Sequence, residues 1–323
     1  MTVKKIFAGI ITIILLGSIF LVSCVKDNTD ELQADHDRKM EALKETYGID
    51  ESDLKVDGIY LKLLTVDTVL NPPYPSSDDM IIADYIGTYF NGSIFDVSDS
   101  AVAQDNELYN SDFIYGPARL WVSYTFLGFQ KAIQFMPQRS NAIMLIPGDQ
   151  WNGFWDPVVY EVTLYKVVEN LEEYNNEQIE SYLDSLGMTT QDEVPGIENI
   201  YSKDFSEILP NDSLEIGDSI WIEIYGYYVE ADTNYMNSFP GRQFFPISES
   251  GDSIGFIYGE EFFPITPAVT EVLQYMKEGE SVELVTTSEK GYGDIGFRHP
   301  YTGDFIIPPS MPLHYKIKLM DII

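Results

Sequence analysis

Apolar and polar positions alternate with a period of two along several stretches of the chain, and the alternation comes in pairs. PVVYEVTLYKVV (157–168) and PLHYKIKLMDII (312–323) both place Pro first, Tyr fourth and Leu eighth. Such a pattern predicts a half-buried strand. ADYIGTYF (83–90) pairs with EIYGYYVE (223–230), Gly87 matching Gly226 at an offset of 139. FQKAIQFMPQRSNAIMLIP (129–147) pairs with VTEVLQYMKEGESVELVTT (269–287) at 140, each a short amphipathic helix followed by a strand. VDGIYLKLL (56–64) pairs with IENIYSKDF (197–205) at 141, and Gly48 of KETYGIDESD with Gly187 of LDSLGMTTQD at 139. The terminal strands stand 155 apart, so the second copy carries an insertion just before its end. A register kept through five blocks reads as a tandem duplication.

Each copy opens on a polar helix. In the second, Ile179, Tyr182, Leu183 and Leu186 share one helical face, and Gly187 suits a C-terminal cap. Strands, one short helix and two more strands follow, with Pro- and Gly-rich runs such as NPPYPSSDD marking loops. The expected class is α+β, two domains that are each an antiparallel sheet wrapped on one short helix. The expected boundaries are a leader at 1–23, a tether and leading helix at 24–55, domain 1 at 56–168, a helical linker at 169–214 and domain 2 at 215–323.

The first residues change the setting. Lys4 and Lys5 precede an apolar run from Ile6 to Val22, and Leu21-Val22-Ser23-Cys24 closes it. This is a signal-peptide pattern that resembles the bacterial lipobox, in which Cys24 becomes the lipidated N-terminus. An uncleaved membrane anchor is the alternative, the run being near the lower length limit for a span. Cys24 is the only cysteine, so a secreted chain of this kind would hold its cores without disulfides. The net charge of −33 disfavours nucleic acid and anionic lipid surfaces, leaving the lipid at Cys24 as the membrane attachment. CVKDNTDEL, acidic just past that cysteine, resembles the surface-export signal of Bacteroidota lipoproteins; an ordinary polar tether is the alternative. Outer-membrane attachment, with surface display, is expected.

The paired blocks resemble an FKBP-type peptidyl-prolyl isomerase copied twice. DYIGTYFNGSIFDVS carries the opening motif through Tyr85, Gly87, Gly92, Phe95 and Asp96, and LGFQKAIQFM places Phe129 where that family usually has Trp. GYGDIGFRHPYTGDFIIPPSMPLHYKIKLMDII carries the closing motif through Tyr292, Gly293, Ile306, Ile307, Pro308, Pro309 and Tyr315. The resemblance implies a site formed by Tyr85, Phe95, Asp96, Phe129 and Tyr160 in the first copy, and by Tyr292, Ile307 and Tyr315 in the second. Phe126, Trp151, Phe244 and Ile265 are candidate substrate-binding walls. Rotation about an Xaa-Pro bond faces about 18–20 kcal/mol of lost amide resonance and needs no nucleophile. An apolar aromatic pocket with a few hydrogen-bond donors suits the twisted amide. Neither a metal nor a cofactor is implied, and His36, His299 and His314 form no recognisable constellation.

Neither copy keeps the whole pattern. The first lacks Tyr-Gly, the long loop and Ile-Ile-Pro-Pro; Trp151, Phe154 and Trp155 occupy its shorter loop, to grip a partner, cover the pocket or pack as core. The second has Ile224 in place of the pocket Tyr, Phe245 in place of Asp, and Val269 in place of the helix aromatic. The expected function is an isomerase or folding factor of the envelope acting on proline-containing polypeptides. The alternative is a non-catalytic adaptor of an outer-membrane secretion or assembly complex, and glycan capture by the Trp loop is a third reading.

Overall fold

The computed structural model describes residues 29–67, 71–110, 115–151, 153, 156–205, 214–229, 243–245, 253–260, 262, 265–298 and 305–323. Cys24, Phe154, Trp155 and His299 lie outside these. In chain order the elements are α1 (Thr29–Tyr47), β1 (Leu54–Val56), β2 (Ile59–Val66), β3 (Met80–Tyr89), β4 (Ile94–Val97), α2 (Ser100–Asp105), β5 (Ala118–Trp121), α3 (Leu127–Ile133), β6 (Ser140–Ile146) and β7 (Val158–Val168). There follow α4 (Leu171–Ser185), β8 (Ile200–Tyr201), β9 (Ser219–Tyr228), β10 (Gln243–Phe245), β11 (Ile254–Ile257), α5 (Pro267–Leu273), β12 (Ser281–Thr286), β13 (Phe297–Arg298), β14 (Phe305–Ile307) and β15 (Leu313–Ile322).

The strands form two large antiparallel sheets in an α+β arrangement. The first runs β1-β2-β6-β7-β3-β4 with β5 also on β3; the second runs β8-β12-β15-β9-β10 with β11 also on β9. From β2 and β8 onward the two orders coincide element for element. The pairing of Ile200 and Tyr201 with β12 puts β8 in the second sheet, ahead of the boundary expected at 215. The first half also holds α2, a helix the hydrophobic pattern did not announce, whose Asp99 accepts from the backbone of Ala101 and Val102. Six residues with one buried side chain, Ala103, leave no periodic stripe to read.

The alternation seen in the sequence becomes two faces. Inward positions of β3, β6 and β7 (Ile81, Ala83, Met144, Val162, Leu164) close on Phe129, Ala132 and Ile133 of α3. In the second sheet Ile220, Ile222, Leu284, Ile317 and Leu319 close on Val269, Val272 and Leu273 of α5. Each short helix is thus held by its buried stripe, since seven residues are too few to form a helix alone.

The outer faces are covered by the leading helices. Met40 and Leu43 of α1 pack on Ile143, Leu145 and Val159. In α4 the expected face of Ile179, Tyr182 and Leu183 packs on Val229 and Val285, while Tyr174, nearer its start, packs on Met80, Ile82 and Val168 of the first sheet. Both helices end alike. Ile49 N–H donates to Lys44 O (2.8 Å) and Met188 N–H to Leu183 O (2.7 Å) around Gly48 and Gly187, whose φ of 62° and 67° lies in the left-handed region. A capping box follows each glycine, Asp50 with Asp53 and Thr189 with Asp192.

One buried polar cluster lies beneath α4 and was not legible in the sequence. His314 is 3% exposed; its Nδ1 meets Tyr182 OH at 2.9 Å and its Nε2 meets Glu283 Oε1 at 3.0 Å. The Tyr227 ring stacks on the imidazole at 5.1 Å, and Lys316 Nζ holds Glu283 at 2.9 Å. Burial pushes the His314 pKa down to about 4, against the opposing pull of Glu283. The imidazole is therefore neutral in the folded chain at pH 7. Between about 6.5 and 4 the unfolded chain takes up the proton that the folded one refuses, so stability is full above pH 6.5 and falls as pH drops, by up to about 1.4 kcal/mol per unit. Urea unfolding followed between pH 7.5 and 4.5 should show this decline, and His314→Gln should flatten it. An unchanged slope in that variant would locate the acid sensitivity elsewhere.

Candidate functional site

The two halves carry different walls at equivalent strand positions. In the first, Gly87 on β3 stands in register with Asp96 on β4 and with Tyr160 on β7. In the second, Gly226 on β9 stands in register with Phe245 on β10 and Tyr315 on β15. Both glycines let an aromatic ring lie across the strand. A Cβ at Gly87 would come within 2.9 Å of the Phe95 ring and 3.0 Å of Tyr160, and one at Gly226 would overlap the Phe244 ring. Gly226→Ala should therefore drive Phe244 from its place against Tyr228 (5.1 Å) and Tyr315 (6.0 Å). The expected destabilisation is about 1–3 kcal/mol, the range for overpacking a fitted core, read from urea midpoints. A variant as stable as the parent would show that the ring relocates freely.

In the first half the structure gathers all the first-copy candidates around Tyr160. Its ring lies 6.2 Å from Tyr85, 5.7 Å from Phe95, 5.5 Å from Phe126 and 5.6 Å from Phe129. The Tyr160 pKa is pushed far up, first by burial and then by the Asp96 charge, so the hydroxyl stays protonated among the surrounding rings. Trp151, on the short loop after β6, lies over that basin at 5.1 Å from Phe95 and 5.7 Å from Tyr89. Of a grip, a cover and core packing, the ring contacts with Phe95 and Tyr89 and the place of Trp151 beside the first core fit a cover that also packs.

The second half has an open cavity. It has a volume of about 610 Å³ and is lined in part by Phe262, Ile265, Thr266, Pro267, Tyr292 and Phe297. That volume falls within the range of small-molecule pockets. Of the candidates, Ile265 and Tyr292 reach its surface. Ile307 and Tyr315 do not: both are fully buried in the core, so they support the walls rather than line them. Phe244 packs beside that core at Tyr315. Phe262, Thr266 and Phe297 were missed because nothing in their sequence spacing separates a pocket wall from a core position.

Tyr292 sits on the loop after β12, its ring 5.6 Å from Phe297. Burial, with the hydroxyl oxygen itself out of solvent, pushes its pKa well above the ordinary phenol value, so it is protonated throughout the physiological range. The Thr266 and Tyr315 hydroxyls approach one another in the core without the alignment of a full hydrogen bond. The cavity wall is thus largely aromatic and aliphatic, with Glu260 and Glu271 also on it. Among the described residues, no three His, Cys, Asp or Glu side chains come together to hold a metal. Such a surface can bind a compact apolar ring.

Residues 217–320 match the model of the family described as FKBP-type peptidyl-prolyl cis-trans isomerase. A search of curated proteins returns no significant match. Among solved structures, a peptidyl-prolyl cis-trans isomerase from Pseudomonas syringae aligns at 23% identity and TM-score 0.33, covering 43% of this chain and 95% of its own. FkpA from Escherichia coli aligns at 16% and 0.32, covering 51% and 78%. The three FKBP domains of wheat FKBP73 align at 13% and 0.29, covering 82% and 95%.

Proposed function

We propose that the chain is a tandem FKBP-like lipoprotein of the outer membrane whose second copy isomerises Xaa-Pro bonds in proline-containing polypeptides. The observation that carries this reading is the open, largely aromatic cavity at Tyr292 and Ile265, inside the segment that matches the isomerase family. A pyrrolidine ring fits such a cavity, with the Tyr292 ring as part of its wall. The first copy is a closed one, with Trp151 resting on Phe95 and Tyr89. The envelope address is supported by the N-terminal pattern ending at Cys24.

A second reading draws on that closed copy. A basin already filled by its own chain suits an adaptor, in which the fold serves to bind a membrane complex. Exchange spectroscopy on a short Xaa-Pro peptide, with protein that begins after Cys24, distinguishes the two. Catalysed exchange supports the isomerase. No acceleration at protein concentrations near that of the peptide would overturn it for that peptide, and co-purification with a membrane complex would then support the adaptor.

A further inference from the structure

Contacts from the first sheet reach the cavity of the second. Arg119 on β5 is 6% exposed; its Nη2 donates to Asn175 Oδ1 of α4 at 2.7 Å, and its guanidinium carbon lies 5.3 Å from the Tyr174 ring centre. Its Nη1 lies 3.0 Å from Met311 Sδ, in the loop after β14. Asn175 uses its other end on the same loop, Nδ2 donating to Ser310 O at 3.1 Å. Ser310 holds a φ of 56°, a left-handed conformation that a serine adopts only when its surroundings impose it. Its N–H donates to Gly293 O and its Oγ to Asp294 Oδ1, both at 2.9 Å. Gly293 follows Tyr292 directly. The line therefore runs from β5 through α4 to the strained Ser310 turn and on to the loop carrying the phenol.

Arg119 ion-pairs with no carboxylate among the described residues, and burying a charge in that way is costly. Asn175 presents an acceptor to the guanidinium and a donor to the turn at once, which no apolar residue at that helix position could do. We propose that Arg119 and Asn175 are positioning residues through which the first sheet sets the geometry of the Tyr292 loop. The closed first copy then serves the cavity of the second as a brace. The contribution to catalysis rests on the isomerase reading; the brace itself does not.

Asn175→Asp separates the two links in the full chain. It keeps an acceptor for Arg119, even adding a charge partner, and removes the donor to Ser310 O. Amide hydrogen exchange by mass spectrometry on peptides covering 305–313 and 288–296 should show roughly tenfold faster exchange there in this variant, while peptides from α5 and β9 exchange as in the parent. The urea midpoint should stay where it was. Arg119→Ala should speed exchange in the same peptides, and Arg119→Lys should restore part of the protection. Unchanged protection around Ser310 in Asn175→Asp, or a loss spread evenly over the second sheet, overturns the proposal. Where the parent accelerates Xaa-Pro exchange, Asn175→Asp should raise KM several-fold with kcat changed less. A parent without turnover would sink the isomerase reading, and the hydrogen-exchange result would still decide the brace.

Discussion

Tyr315→Ala is expected to lower the stability of the second sheet by about 3–5 kcal/mol, the cost seen when a large aromatic is removed from a core. The ring has no exposed surface, meets Phe244 edge-on at 6.0 Å, and lies in the core cluster that includes Ile222, Leu284 and Ile307. Few neighbours can collapse into the void, because β9 and β12 flank β15 on both sides in a fixed register. Tyr315→Phe should behave differently. The hydroxyl makes no well-aligned hydrogen bond among the described residues, so removing it should be neutral or slightly stabilising. At the register-equivalent position of the first sheet, Tyr160→Phe keeps the ring and should cost less than Tyr315→Ala. Urea curves for the three variants check this ordering. A Tyr315→Phe loss as large as that of Tyr315→Ala would show that the buried hydroxyl has a partner of consequence.

Where the parent accelerates Xaa-Pro exchange, Tyr292→Ala is expected to reduce it by about tenfold or more, and Tyr292→Phe by less. A tenfold change is about 1.4 kcal/mol off the barrier. The alanine variant loses part of the cavity wall beside Phe297, while the phenylalanine variant keeps the wall. Because burial holds the phenol protonated, the rate should show no titration of this group from pH 7 to 9. Equal rates for parent, Phe and Ala variants would remove Tyr292 from the site. A rate that fell on raising pH through that window would show a phenolate forming there.

Several elements were legible because their signal is local. The helix face at Ile179, Tyr182 and Leu183 follows the 3.6 period, and it is the face that packs. Gly48 and Gly187 end their helices at positive φ, a conformation that singles out glycine. Gly87 and Gly226 stand beneath aromatic rings that any Cβ would strike. Other features had no such signal. His314 looked like an isolated histidine in an alternating strand, yet its partners Tyr182 and Glu283 come from α4 and β12. Ile307 and Tyr315 matched a family motif but lie beneath the cavity, because a motif records chain position and not depth.

The sequence by itself determined the α+β plan and the strand positions, for these rest on periods of two and 3.6 and on glycines whose backbone demands are local. Only the tertiary structure decided that Trp151 covers the basin around Phe95, that the second cavity stays open at Tyr292, and that Arg119 reaches Asn175 and the Ser310 turn. Arg119 and Met311 are 192 residues apart along the chain. Such contacts depend on how two sheets and one helix meet, and that geometry leaves no periodic trace in either segment.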